Sequence, residues 1–326
     1  MNRSTILGTG RYLPDKVLTN FDMEKIVVTS NEWIISRTGI ETRHMAAPEE
    51  ATSDMATEAA KIAIKKAGLA VDDIQLIIVA TVTPDMAFPS TACIVQANLG
   101  ATRAAAFDIE AACSGFLYGL ATADAFIRSG MYRHVLVIGA EKMTSILDWN
   151  DRNTCVLFGD GAGAAVVGPS TGEEGILSTI LGADGEGGKF LSQPAGGSRK
   201  PASLETIQNN EHTIDMAGTD VFKFAVRIMG NASVEAIEKA GLSIEDIQVL
   251  VPHQANMRII SAAAKRLSLP MEKVKVNLNH YGNISAASIP IALDEALEEG
   301  MIKKGDNVVL TGFGGGLTWG SAVIRF

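Results

Sequence analysis

The chain is poor in the residues that metal sites and disulfide frameworks need. It has 326 residues, of which only three are cysteine and five are histidine. Cys93, Cys113 and Cys155 are odd in number and widely spaced, which fits neither a disulfide framework nor a CxxC metal site. His44, His134, His212, His253 and His280 include no HExxH pair, so no metal is expected. Positive charge is short too: 28 Lys and Arg face 37 Asp and Glu, a net −9, which argues against a general nucleic-acid binder. Charged or polar residues break every apolar run before it reaches membrane-spanning length. The opening "MNRSTILGTGRYLPDKV" has no apolar stretch of signal-peptide length, so a cytoplasmic protein is the expectation. What is present is a folded composition, 47% hydrophobic and 20% charged, with ample material for a core.

The chain repeats itself. "AIKKAGLAVDDIQ" (63–75) matches "AIEKAGLSIEDIQ" (236–248) at nine of thirteen positions, an offset of 173 residues. At the same offset "HVLVIG" (134–139) meets "NVVLTG" (307–312). A third match, "FGDGAGAAVVG" (158–168) with "FGGGLTWGSAVI" (313–324), has offset 155, so the first half carries about 18 extra residues near 141–157. The period is too long for a solenoid. It reads as a duplication with halves 1–172 and 173–326. Ala-rich helical stretches alternate with short apolar runs in each half, which predicts an α/β fold of mainly parallel sheets covered by helices. Two such halves would pack about a pseudo-twofold axis with a site in the cleft between them. The Gly/Ser-rich stretch 183–203 reads as a long surface loop, functional or part of an assembly contact.

Four features carry candidate chemistry. In "DIEAACSGFLYGL" (108–120), Cys113 stands where a strand gives way to a helix. A helix N-terminus stabilises thiolate and is expected to lower the thiol pKa, though a lone Cys is as readily a buried hydrophobe. In "VLVPHQANMRII" (249–260), His253 follows a strand that Pro252 stops, the usual active-site position of an α/β fold, or else an ordinary capping residue. In "NHYGNISAASIPIALDEAL" (279–297), Asn283 precedes a small-residue helix, as a turn residue or a catalytic one. The duplication sets Cys113 against Ala286, so the two helix starts should face each other. The glycines of "TGFGGGLTWGSAVIRF" (311–326) suit an oxyanion hole or a tight turn better than a dinucleotide fingerprint, because a strand follows them. No acid is placed to orient His253.

With these motifs assembled, the chain closely resembles the β-ketoacyl-acyl carrier protein synthase III family over essentially its full length. The resemblance rests on "NEWIISRTGIETRH" (31–44), "FPSTACIVQANLG" (88–100), "DIEAACSGF" (108–116), "FGDGAGAAV" (158–166), "PHQANMRI" (252–259), "GNISAAS" (282–288) and "GFGGGLTWGSA" (312–322). It implies the thiolase-like fold with five αβαβα layers. It also implies decarboxylative condensation of a short acyl-coenzyme A primer with malonyl-acyl carrier protein, initiating fatty acid synthesis. Cys113 would take the acyl group, His253 and Asn283 would promote malonyl decarboxylation, and the backbone N–H groups of Cys113 and Gly315 would form the oxyanion hole. Phe313 would pack near the cysteine. Trp33 and Arg37 would hold the adenine end of coenzyme A with Arg152 on its other side, and Thr29, Gly218, Phe222 and Asn256 would follow along the tunnel. Phe88 would reach across a homodimer interface to close the acyl pocket, its bulk pointing to an acetyl or small branched primer. Arg258, Lys265 and Arg266, with Lys223 and Arg227, would dock the acidic carrier protein, although a charge run also serves as a solvated face. No cofactor is implied, since the coenzyme A thioester is a substrate, and neither is a membrane or nucleic-acid partner.

Rivals differ at particular residues. A degradative thiolase would need a second catalytic cysteine after Cys155, and elongating synthases use a second histidine where "GNISAAS" has Asn. A starter-unit ketosynthase or acyltransferase of specialised metabolism on the same scaffold stays open, as does a non-catalytic acyl-coenzyme A or carrier-protein binding module.

Overall fold

A computed structural model describes residues 3–326. Nine strands build two central sheets: β1 (Ser4–Tyr12), β2 (Leu76–Ala80), β3 (Ala105–Ile109), β4 (Val135–Lys142), β5 (Asp160–Pro169), β6 (Gly175–Ala183), β7 (Val249–Pro252), β8 (Asn307–Gly314) and β9 (Thr318–Arg325). The first sheet has the order β1-β5-β4-β2-β3 and the second β7-β8-β9-β6. Seven helices matter for the site: α1 (Asn31–Thr38), α2 (Thr52–Lys66), α3 (Thr91–Leu99), α4 (Gly115–Arg128), α5 (Gly218–Lys239), α6 (Met257–Arg266) and α7 (Ser288–Glu298).

The layers follow from side-chain alternation along the strands. Leu76, Ile78, Val135 and Val137 face the same apolar cluster as Val249, Val251, Val308 and Leu310 of the other sheet, with Phe116, Leu120, Ile289 and Leu293 of α4 and α7 between them. The intervening residues Ile77, Val79, Leu136 and Ile138 face outward onto Met55, Ala59 and Ala63 of α2 and Val95 of α3. Leu250 and Val309 face outward onto Phe224 and Met229 of α5 and Ile260 of α6. Both sheets are therefore buried on both faces, and the stack is helix, sheet, helix, sheet, helix. The middle layer is tight: a Cβ at Gly139 of β4 would lie 2.3 Å from the Ala286 carbonyl oxygen, so only glycine lets the turn before α7 approach the sheet.

The offset of 173 reappears in the elements. β2 begins at Leu76 and β7 at Val249, and α4 begins at Gly115 and α7 at Ser288. The turns Ala112–Ser114 and Ser285–Ala287 precede these two helices, each opening on a left-handed non-glycine residue, Ala112 at φ 44° and Ser285 at φ 45°. Residues 143–159 connect β4 to β5, whereas residues 315–317 suffice between β8 and β9, which locates the extra segment of the first half.

The sheets are mixed rather than mainly parallel. β2 runs parallel to β3 and β4, and β7 parallel to β8. β5 is antiparallel to both β1 and β4, and β9 to both β6 and β8. Three residues cannot make the crossover that a parallel pair requires, so β8 and β9 form a hairpin. The counterpart of β3 shrinks in the second half to a single bridge between Leu250 and Val274. Residues 183–203 are not simply an exposed loop. A short helical turn, Gly185–Phe190, leads to a two-residue strand that pairs with Asp215–Met216, and Gly188, Leu191, Ser192 and Gln193 wall the central cavity. Among the described residues, no helix is long and apolar enough to cross a membrane, and no cluster of His, Cys, Asp and Glu is grouped to hold a metal ion.

Candidate active site

The cavity has a volume of about 910 Å³ and lies where the starts of α4 and α7 meet. Cys113, Ser285, Gly315 and Thr318 form its floor, and Met143, Ile146, Phe158, Leu191 and Ile214 make much of its wall apolar. Phe88 lines it as well, yet is 84% exposed. Cys113 itself is buried. The left-handed Ala112 turns the chain sharply between β3 and α4 and sets the thiol at the helix start. β8 lies against this turn so closely that a Cβ at Gly314 would fall 2.5 Å from the Cys113 backbone nitrogen.

His253 follows the end of β7, and its backbone N–H donates to the Thr311 carbonyl at 2.7 Å. A Cβ on Gly312 would stand 3.3 Å from His253 Cβ and 3.7 Å from the Cys113 carbonyl oxygen, so the two residues flank one glycine. The imidazole is fully buried and meets Phe313 edge to face, with ring centroids 5.8 Å apart. Its Nδ1 has no hydrogen-bond partner. Burial pushes its pKa down to about 3, so the ring is neutral and carries one N–H. Asn283 is buried in the turn before α7. Its Oδ1 accepts from the Ser285 N–H at 2.8 Å, while its backbone bonds to Leu157 and Gly159. With the amide oxygen engaged, the NH2 group remains as a donor.

The thiol differs from expectation. Burial drives its pKa up to about 12, with the charges of Glu141 and Glu110 adding to the rise. The helix start does not yield a resting thiolate here, because removing the anion from water outweighs the stabilisation that the helix start supplies. Cys113 rests as a neutral thiol.

Two neighbours were not singled out from sequence. Glu141, near the end of β4, is fully buried and accepts from the hydroxyls of Thr81 and Thr83 and the backbone N–H groups of Val82 and Thr83. Burial still pushes its pKa up to about 7. Ser285 has a buried hydroxyl without a hydrogen bond of normal geometry, although it lies close enough to Glu141 and Cys113 to lower both acids against burial. The duplication held the signal for Ser285: it stands 173 residues after Ala112, at the matching left-handed position. Nothing in "IGAEK" distinguishes Glu141 from a solvated charge.

The family described as 3-oxoacyl-[acyl-carrier-protein (ACP)] synthase III matches residues 107–185, and its C-terminal region matches residues 237–326. A β-ketoacyl-[acyl-carrier-protein] synthase III of Caldanaerobacter subterraneus is 64% identical over 98% of this chain and 97% of its own. The chain belongs to the β-ketoacyl-[acyl-carrier-protein] synthase III family. A synthase III from Clostridioides difficile is 61% identical over 99% of this chain and 98% of its own. The crystal structure of the Aquifex aeolicus synthase III superposes with a TM-score of 0.93 at 52% identity, covering 99% of this chain and 100% of that one. The thiolase-like fold is thereby shown.

The remaining positions marked by the resemblance to synthase III divide into groups. Trp33 on α1 is half-buried, and the Arg152 guanidinium lies 4.9 Å from its ring centroid. Arg37 is exposed one turn further along α1, and its carbonyl accepts from Asn256 Nδ2 at 2.9 Å. Asn256 also caps α6 through the Arg258 N–H, so it has a structural task of its own. The Thr29 hydroxyl is buried without a partner just before α1. Gly218 and Phe222 are exposed on the first turns of α5. Lys223, Arg227, Arg258, Lys265 and Arg266 are exposed on α5 and α6. These two helices pack side by side, since a Cβ at Gly230 would strike Arg266 Cγ at 2.5 Å. The Arg258 guanidinium is tied to the Ser36 carbonyl at 3.0 Å.

Proposed function

We propose that the chain joins a short acyl group from acyl-coenzyme A to malonyl-acyl carrier protein with loss of carbon dioxide, through an acyl-Cys113 intermediate. In the first half, Cys113 sulfur bonds to the thioester carbonyl carbon, the carbon–sulfur bond to coenzyme A breaks, and coenzyme A leaves as the thiol. In the second, the malonyl carboxylate departs as carbon dioxide and its bonding electrons move onto the thioester as an enolate. The neutral His253 N–H and the Asn283 NH2 donate to the enolate oxygen, and its carbon bonds to the acyl carbonyl carbon as the carbon–sulfur bond to Cys113 breaks. Cys113 leaves as thiolate and takes one proton from solvent to return to the thiol. Neutral donors suit this step, because buried positive charge would have to be desolvated before substrate arrives. The backbone N–H groups of Cys113 and Gly315 would receive the acyl thioester oxygen. The reading is supported by a buried thiol lining an apolar cavity, a neutral buried histidine that flanks Gly312 together with Cys113, and an asparagine amide oriented by Ser285, which lines that cavity too.

The supporting parts follow the same reading. Trp33 and Arg37 would receive the adenine of coenzyme A with Arg152, and the unpartnered Thr29 hydroxyl is available to the ligand. Gly218, Phe222 and Asn256 would border the channel. The exposed cations of α5 and α6 offer the acidic carrier protein a basic patch on a net-negative enzyme. An aromatic ring as exposed as Phe88 has the makings of a homodimer contact that closes the acyl pocket. The reaction needs no cofactor, and soluble thioester substrates fit a cytoplasmic setting. Labelled acetyl-coenzyme A tests the core: the protein should retain a covalent acyl group, and Cys113→Ala should retain none. A fully labelled Cys113→Ala protein, or an unlabelled native one, overturns the reading.

One structure favours a second reading of the pathway. The priming β-ketosynthase of the R1128 polyketide pathway superposes with a TM-score of 0.91 at 36% identity. Competition among acetyl-, isobutyryl- and longer acyl-coenzyme A with malonyl-carrier protein separates the two by the primer selected.

A further inference from the structure

The proposed acylation leaves one proton unaccounted for. Cys113 rests as a thiol, so its proton must leave as sulfur attacks the thioester. His253 is a poor acceptor: it is buried, its Nδ1 has no partner to support an imidazolium, and its pKa is depressed to about 3. The other buried base at the site is Glu141, at about 7. Four donors, all in Thr81–Thr83, hydrogen-bond to the carboxylate and fix it in place. Ser285 lines the cavity with Cys113, and its hydroxyl is buried and unsatisfied. Its turn packs against the face of β4 that carries Glu141, since a Cβ at Gly139, two residues earlier on that face, would lie 2.3 Å from the Ala286 carbonyl oxygen. An unsatisfied hydroxyl in such a place is costly unless it has a use.

We propose that Glu141 and Ser285 form a proton relay for Cys113. As the sulfur–carbon bond forms, the thiol proton passes to Ser285 Oγ and the Ser285 proton passes to the Glu141 carboxylate. When the tetrahedral intermediate collapses and the carbon–sulfur bond to coenzyme A breaks, the same path returns a proton to the departing coenzyme A sulfur. No oxidant, metal or external base enters, and Glu141 ends as it began. Ser285 serves the second half-reaction as well, since its N–H holds Asn283 Oδ1 and so aims the Asn283 NH2 group.

The other titratable groups around this relay are committed elsewhere. Lys142 Nζ donates to the carbonyls of Ala47, Pro48 and Glu50. Asp160, opposite it on β5, accepts from Ala46 and Thr144. Glu110 accepts from the Ala112 N–H.

The inference rests on Cys113 being the acylated nucleophile, and the test separates the two. Single-turnover acylation by acetyl-coenzyme A is followed across the pH range in the native protein, Glu141→Gln, Glu141→Asp and Ser285→Ala. The native rate should rise with pH through an inflection near 7, set by Glu141. Glu141→Gln should lose that inflection and acylate at least about tenfold more slowly at neutral pH, Ser285→Ala should slow comparably, and Glu141→Asp should restore part of the rate together with the inflection. Decarboxylation of a malonyl thioester should persist in Glu141→Gln, which leaves His253 and Asn283 intact. Native rates and an unchanged pH profile in Glu141→Gln and Ser285→Ala overturn the relay while leaving the nucleophile standing. Should Glu141→Gln fail to fold, Ser285→Ala decides alone. Absence of acylation in the native protein overturns the nucleophile instead.

Discussion

The buried imidazole of His253 makes a prediction about stability that needs no substrate. Its pKa falls from an ordinary 6.5 to about 3 on folding, with burial as the cause. At about pH 8 the ring is neutral in both folded and unfolded states and contributes no pH dependence. At about pH 5 the unfolded ring binds a proton and the folded ring does not, which favours unfolding. The sign is therefore fixed: the contribution is intact above the unfolded value and is lost as pH falls below it. Linkage over the two values puts the loss between about pH 8 and pH 5 at about 2 kcal/mol. Because the ring is 1% exposed, solvent screening does not reduce this figure. Glu141 acts in the opposite sense. Its folded pKa is raised from 4.5 to about 7, so it stabilises below its ordinary value and that contribution is lost as pH rises through 7. The two largely cancel in the native protein, and His253→Gln removes one of them. Urea unfolding at both pH values, extrapolated to water for native and variant protein, isolates the His253 contribution. Relative to native, the variant should gain about 2 kcal/mol on acidification. A relative change under about 0.5 kcal/mol would refute the reasoning that holds His253 neutral by burial.

Two further outcomes follow from the packing. Gly139→Ala places a methyl group 2.3 Å from the Ala286 carbonyl oxygen. Neither the sheet nor the turn before α7 can give way cheaply, so denaturant titration should show a loss of about 3 kcal/mol or more. Trp33→Ala removes the ring that faces Arg152, and by the strength of such contacts the KM for acyl-coenzyme A should rise about tenfold with little change in kcat.

Much of the architecture was legible because duplication writes itself into a chain twice. The offset of 173 between two helix-to-strand segments predicts the matched starts of β2 and β7, and of α4 and α7. The same offset set Cys113 against Ala286, whose turns do meet at the cavity. Strand direction was less legible. Buried parallel and antiparallel strands are both continuously apolar, and only the three-residue link between β8 and β9 discloses a hairpin. Residues 183–203 read as a loop because composition reports flexibility and solvent preference, whereas forming a cavity wall depends on where the ends of the segment are anchored.

Residue type and order alone determined the half-chain repeat, the strand–turn–helix at Cys113 and the family motifs, since these depend on local pattern and spacing. Tertiary structure decided the electrostatics. Whether Cys113 rests as thiol or thiolate, whether His253 is neutral, and whether Glu141 is a surface charge or a base beside the thiol all depend on how much water surrounds each group. That is set by side chains hundreds of residues away in the chain. Folding buried all three groups together, and their chemistry follows from the cost of charge in that shared, water-poor space.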